Sequence, residues 1–181
     1  MIPKTMTIGG LLIITSILVM VADSAVAQTE PAAVVRLTAV RDAYPYWSSD
    51  GKQVVFQSDR HDMMMGDRDI YMMQADGTAI KRLIHREESD ETPVWSPDGS
   101  KIVFASNRAG KTTGNFHIYV MNADGSDVVR ILENDAMVED ARPQWSPDGS
   151  RILFNRQYIA DESSIDIMII ELPTGLSVAP R

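Results

Sequence analysis

The chain of 181 residues has no cysteine. That excludes a disulfide framework, thiolate metal sites, a cysteine nucleophile and lipidation on an N-terminal cysteine. Histidine is scarce as well: His61, His85 and His117 are the three, at unrelated places in the chain, so a shared histidine metal centre is not expected. No Gly-x-Ser-x-Gly elbow, phosphate loop, dinucleotide fingerprint or His-Glu-x-x-His occurs. Basic charge is short, with 17 Lys and Arg against 25 Asp and Glu and a net charge of −8. Phosphate recognition needs clustered cations, so nucleic acid is not an expected partner. Beyond the first 27 residues no segment carries the apolar spacing of a helix.

Those first residues have their own pattern. Lys4 precedes an apolar run of 15 residues, Ile8 to Ala22, and "AVA" (Ala25 to Ala27) stands before Gln28. A short basic start, an apolar stretch too short to span a bilayer and a small-x-small site predict a secretory signal cleaved after Ala27. The mature chain is expected in the periplasm or outside the cell, with no membrane span left after cleavage.

The rest of the sequence repeats. Trp47, Trp95 and Trp145 are 48 and 50 residues apart. A turn follows each: "SSDG" with Asp50 and Gly51, "SPDG" with Asp98 and Gly99, "SPDG" with Asp148 and Gly149. Next comes an apolar run ("VVF", "IVF", "ILF") and then a second one ("DIYMM", "HIYVM", "DIMII"). Two repeats go on through "ADG" to a fourth short segment containing Arg82 or Arg130. Runs of four to six residues rich in Val, Ile, Phe and Tyr, bounded by Gly, Pro and Asp, are strands. Four-stranded antiparallel units at this period are propeller blades, each too thin to bury its own faces. The predicted fold is all-β: a signal peptide (1–27), an outer latch segment (28–43), and three blades at 44–88, 89–138 and 139–181. The three tryptophans are expected to be buried between blades.

"WSPDGSKIVFASNR" followed by "HIYVMNADGSDVVRIL" resembles the TolB-type, WD40-like β-propeller repeat of exported bacterial proteins, over about residues 34 to 172. The resemblance implies a non-catalytic scaffold with no cofactor, binding protein partners of the cell envelope such as the peptidoglycan-associated lipoprotein. It also leaves open a lyase-like enzyme acting on carbohydrate or a small ligand in the central funnel, or the propeller domain of a larger exported protein. In the third repeat "NRQ" replaces "SDR" and "SNR", and "ELPTG" replaces "ADG".

"VVRLTAV" from Val34 aligns with the fourth strands, Arg36 matching Arg82 and Arg130. In the family such a strand completes the last blade of a closed ring. Closed propellers use about four to eight blades, so three call for an explanation. Either two copies pair head to tail as a homodimer with a six-bladed ring, or the chain is a truncated or short form, or it is an open arc. In the third repeat only "LSVAPR", from Leu176, is available as an outer strand.

The loops joining second to third strands differ between repeats, and variable loops on one rim of a scaffold are where recognition is expected. They offer His61, Met63, Met64 and Met65, then Lys111 and Asn115, then Asp161 and Glu162 within "IADESSI". Asp59, Asp62, Asp67 and Asp69 are weak calcium candidates, since their spacing is not that of an EF-hand. The methionines beside His61 are soft-ligand types that suit copper, yet adjacent side chains point apart and read better as a flexible apolar contact surface. Arg60 and Arg108 recur after the second strands and are expected to make a structural ion pair or turn hydrogen bond. The acidic cluster of Glu87, Glu88, Asp90 and Glu91 is expected to be solvated.

Overall fold

The computed structural model describes residues 34–38, 40–61, 67–85, 88–109, 115–133 and 137–178; the predicted signal peptide lies outside them. The chain divides into two compact units, Met1–Val35 and Arg36–Arg181. The second is all β among its described residues and forms three antiparallel sheets. Blade 1 is β1 (Asp42–Trp47), β2 (Gln53–Ser58), β3 (Asp69–Gln74) and β4 (Lys81–Arg82). Blade 2 repeats it as β5 (Asp90–Trp95), β6 (Lys101–Ser106), β7 (His117–Asn122) and β8 (Val129–Arg130). Blade 3 has three strands, β9 (Val138–Trp145), β10 (Arg151–Tyr158) and β11 (Asp161–Glu171). The partial propeller read from the repeats is therefore present.

The turns form for local reasons. The Ser48 hydroxyl donates to the Asp50 carboxylate at 2.7 Å and accepts the Gln53 amide at 2.9 Å, while the Gly51 amide closes on the Ser48 carbonyl. Gly51, Gly99 and Gly149 all take φ between 70° and 76°, which glycine adopts without a Cβ penalty. At Asp148 the hydroxyls of Ser146 and Ser150 and the Ser150 amide hold the carboxyl down to about 2.

Blades are joined by side chains. The two faces of a strand point opposite ways, so β2 and β3 send Val55 and Ile70 toward blade 2, where Trp95, Ile102, Phe104, Tyr119 and Met121 meet them. The same contact recurs between blades 2 and 3: Val103, Ile118 and Val120 pack on Ile152, Phe154, Trp145 and Met168. Each such buried side chain contributes about 1.5–3 kcal/mol. Trp145 also donates its indole N–H to the Val94 carbonyl at 3.3 Å.

Several expectations are corrected. Trp47 is 56 % exposed where Trp95 is 5 % exposed, because each tryptophan packs on the blade before it and blade 1 follows none among the described residues. Asp90 is not solvated but fully buried, gripped by Arg108 at 2.8 Å. "IADESSI" is not a loop: Ile159 and Ala160 make a tight turn and β11 begins at Asp161, paired with Tyr158. Leu176 to Val178 turn back over the Gly149 turn instead of forming an outer strand, with the Val178 amide on the Gly149 carbonyl. No strand is formed by 34–38, yet a Cβ at Gly77 would meet Leu37, as one at Gly125 would meet Leu83. Leu37 thus occupies an outer-strand position without a sheet of its own.

Candidate functional site

The first strand of each blade is innermost, and β1, β5 and β9 lie side by side. Each is broken by the same bulge, registered between Ala43 and Tyr46, between Glu91 and Val94, and opposite Leu153 and Asn155 in blade 3. At its centre stands a residue before proline in the left-handed region: Tyr44 at φ 50°, Thr92 at 51° and Arg142 at 53°. Steric contact with the proline ring disfavours helical backbone at such a residue, and a held outlier costs on the order of 1–3 kcal/mol. A bulge re-aims a side chain, and here all three line one cavity of about 210 Å3, together with Tyr46 and Gln144. The amide that the blade 2 bulge frees is taken up by the blade before, Thr92 N–H donating to the Gln57 side chain at 2.8 Å.

Two more cavities continue this groove. One of about 480 Å3 shares Tyr46 and is walled by Trp47, Trp95, Trp145 and the Ser-Pro turns. The other, of about 450 Å3, shares Tyr44 and is edged by Arg41, Asp59 and Arg68. The groove therefore offers aromatic faces, amide and hydroxyl groups, and guanidinium.

Its frame is held by one device per blade. Arg60 reaches Asp42 at 2.7 Å, Arg108 reaches Asp90 at 2.8 Å and Arg156 reaches Asp140 at 2.7 Å. Each guanidinium also lies over the strand aromatics: Arg60 over Phe56 and Tyr71, Arg108 over Phe104 and Tyr119, Arg156 over Phe154. The ion-pair reading of Arg60 and Arg108 is what the structure has. Burial pushes Asp90 up against the opposing pull of Arg108. At Asp42 desolvation is outweighed by hydrogen bonds from Thr38, Arg60 and Ser58, and the carboxyl is held below its ordinary value.

The residues named from sequence do not assemble into a site among those described. His61 hydrogen-bonds the Tyr71 hydroxyl at 2.5 Å. Met63, Met64, Met65, Lys111 and Asp62 lie outside the described residues, as do the side chains of Asp161 and Glu162. Asn115 is buried. Asp69 is paired with Arg82 at 2.7 Å and Asp59 with Arg41 at 3.5 Å, so both carboxylates face guanidinium. His117 is buried, and desolvation, reinforced by nearby Arg130, lowers its pKa. No cluster of three His, Asp or Glu able to hold a metal occurs among the described residues. Sequence reasoning missed Tyr44, Thr92 and Arg142. Their signal was the varied residue before a fixed proline in "YPYW", "TPVW" and "RPQW".

A family model described as the TolB beta propeller domain matches residues 20–175. The structure of a putative TolB from Agrobacterium tumefaciens is similar at 28% identity and a TM-score of 0.62, covering 75% of this chain and 47% of that one. TolB from Acinetobacter baumannii is similar at 24% identity and a TM-score of 0.58, over 80% of this chain and 34% of its own. An oligogalacturonate lyase in complex with manganese shares the fold at 15% identity and a TM-score of 0.53, with 74% and 39% covered. The chain spans less than half the length of each of these proteins. No curated protein matches it.

Proposed function

The chain belongs to the TolB β-propeller family, and from that premise we propose that it is an exported, non-catalytic scaffold that binds a protein partner in the cell envelope along the inner-strand groove. The observation that carries this reading is the triple bulge. Three blades spend backbone strain at one position to present Tyr44, Thr92 and Arg142, three different side chains, to a common cavity. A constant frame with varied residues is what recognition of a particular surface requires. The flanking Tyr46 and Trp47 are 40 % and 56 % exposed, and aromatic residues with arginine are the side chains on which protein interfaces concentrate binding energy. Export is supported by the basic, apolar and small-residue pattern of residues 1–27.

A photo-crosslinking residue placed at Tyr44 or Tyr46 in cells should give one discrete adduct with an envelope protein. The same probe at Val129, an exposed residue of the outer strand β8, should give none. Absence of an adduct at the groove, or equal labelling at Val129, would remove the reading. Fractionation of the same cells should place the chain outside the cytoplasm.

A further inference from the structure

The bulge amides of the inner strands are not served alike. Gln57, Ala105 and Asn155 hold one position in the three blades, opposite Ala43, Glu91 and Ala141 just before each bulge. The blade 2 bulge amide, Thr92 N–H, is taken by Gln57 of the blade before at 2.8 Å. β6 lies against β9 as β2 lies against β5, and Arg142 repeats the backbone of Thr92, so the Arg142 amide is turned toward Ala105. A methyl group accepts no hydrogen bond. The register of β9 on β10 passes from Ala141 to Gln144 and gives Arg142 no pair in the sheet either. The guanidinium of the same residue is uncommitted too. Arg142 is exposed and no carboxylate holds it among the described residues, whereas Arg41, Arg60, Arg68, Arg82, Arg108 and Arg156 each lie on an Asp or Glu. Glu139 borders a smaller cavity with Arg142 without forming an ion pair.

We propose that Arg142 is the carboxylate anchor of the groove: an Asp or Glu side chain of the partner protein enters the cavity and accepts hydrogen bonds from the Arg142 guanidinium and the Arg142 backbone N–H. The inference rests on the groove being the partner's surface and adds the chemistry that the surface selects. The cavity of about 210 Å3 suits one acidic side chain, and its charge decides the sign of the guest. Among the described residues its lining is prolines, Tyr44, Tyr46, Thr92, Val94 and Gln144, with Arg142 as the one charged member. In a chain of net charge −8 this is a local cation with no carboxylate on the same wall. A planar guanidinium matches a carboxylate with two parallel bonds, and bonds to an ionised acceptor are the short, strong ones. Facing the groove does not depend on being the last blade, because Thr92, with a blade on either side, lines the same cavity.

The test is an NMR titration of the protein, expressed from its complete sequence and nitrogen-labelled, with circular dichroism on every sample. The probe is N-acetyl-aspartate amide, which carries one side-chain carboxylate, and N-acetyl-asparagine amide is its neutral counterpart. The Arg142 amide resonance should shift saturably with the first and not with the second. Arg142→Gln, at an exposed position, should weaken the response at least about tenfold. Ala105→Gln should cap the amide as Gln57 caps that of Thr92, moving the Arg142 resonance without ligand and weakening binding; should that variant misfold, Arg142→Gln and the asparagine control decide. No saturable shift, an equal response to the asparagine compound, or full binding by Arg142→Gln overturns the proposal. In cells, Arg142→Gln should abolish the crosslink formed from Tyr46. A wild-type adduct that survives Arg142→Gln overturns the anchor and leaves the groove reading standing. No adduct in the wild type removes the groove reading, and the titration alone then decides the carboxylate site.

Discussion

At the scale of single residues, every blade carries a buried Arg–Asp pair between the arginine at its second strand and its first strand. Asp90 is 0 % and Arg108 10 % exposed, whereas the Arg68–Glu91 pair is 46 % and 24 % exposed. Removing one partner of a buried pair leaves an uncompensated charge and costs about 3–5 kcal/mol; an exposed pair is worth under about 1 kcal/mol. Arg108→Ala should therefore lower stability in urea by about 3–5 kcal/mol, and Arg68→Ala by less than about 1 kcal/mol. Similar losses would show that the pairs do not differ in the way their burial demands. The recurrence of Arg60 and Arg108 was legible in the sequence, but their partners, 18 residues away, were not. In blade 3 the role passes to Arg156, two positions earlier in the repeat than Arg60 and Arg108, and only the fold reveals that it reaches Asp140.

Elements are set by their turns, and the turn glycines do unequal work. A Cβ at Gly51 meets nothing within 4 Å, whereas one at Gly125 falls 2.5 Å from the Leu83 carbonyl. Gly51→Ala should cost about 1–2 kcal/mol, the penalty of a left-handed residue with a Cβ. Gly125→Ala adds displacement of the preceding blade and should cost roughly 2–4 kcal/mol in all. Thermal melts of the two variants check this, and equal shifts would mean that the blades are not wedged together at that turn. Both glycines were legible as turn residues. Their difference was not, because it depends on Leu83, which arrives from another blade. The bulges were hidden in the same way: a proline in a strand signals irregularity but not which side chain it aims, or where.

For the unit from Arg36 onward, stability is the sum of blades and the contacts between them. Trp95 sits inside one such contact and Trp47 outside any in the single chain. Trp95→Ala should cost about 3–5 kcal/mol by cavity formation. Trp47→Ala should change stability by under about 0.5 kcal/mol. A large loss from Trp47→Ala would show that the indole is packed within the chain in spite of its exposure. The three tryptophans are indistinguishable as letters of a repeat; position in the series separates them.

The sequence by itself determined what neighbours along the chain can dictate: the all-β character, the Ser-Asp-Gly turns and the order of the repeats. These follow from backbone angles and alternation within a few residues, and they identified the blades and the family. Tertiary structure alone decided which arginine grips which aspartate, that Tyr44, Thr92 and Arg142 share a cavity, that Asp90 is buried, and that blade 3 has three strands among the described residues. Each of these depends on pairs of residues far apart in the chain. A repeat specifies its own blade and the kind of surface it offers, but the burial of that surface is settled by whichever blade stands next to it.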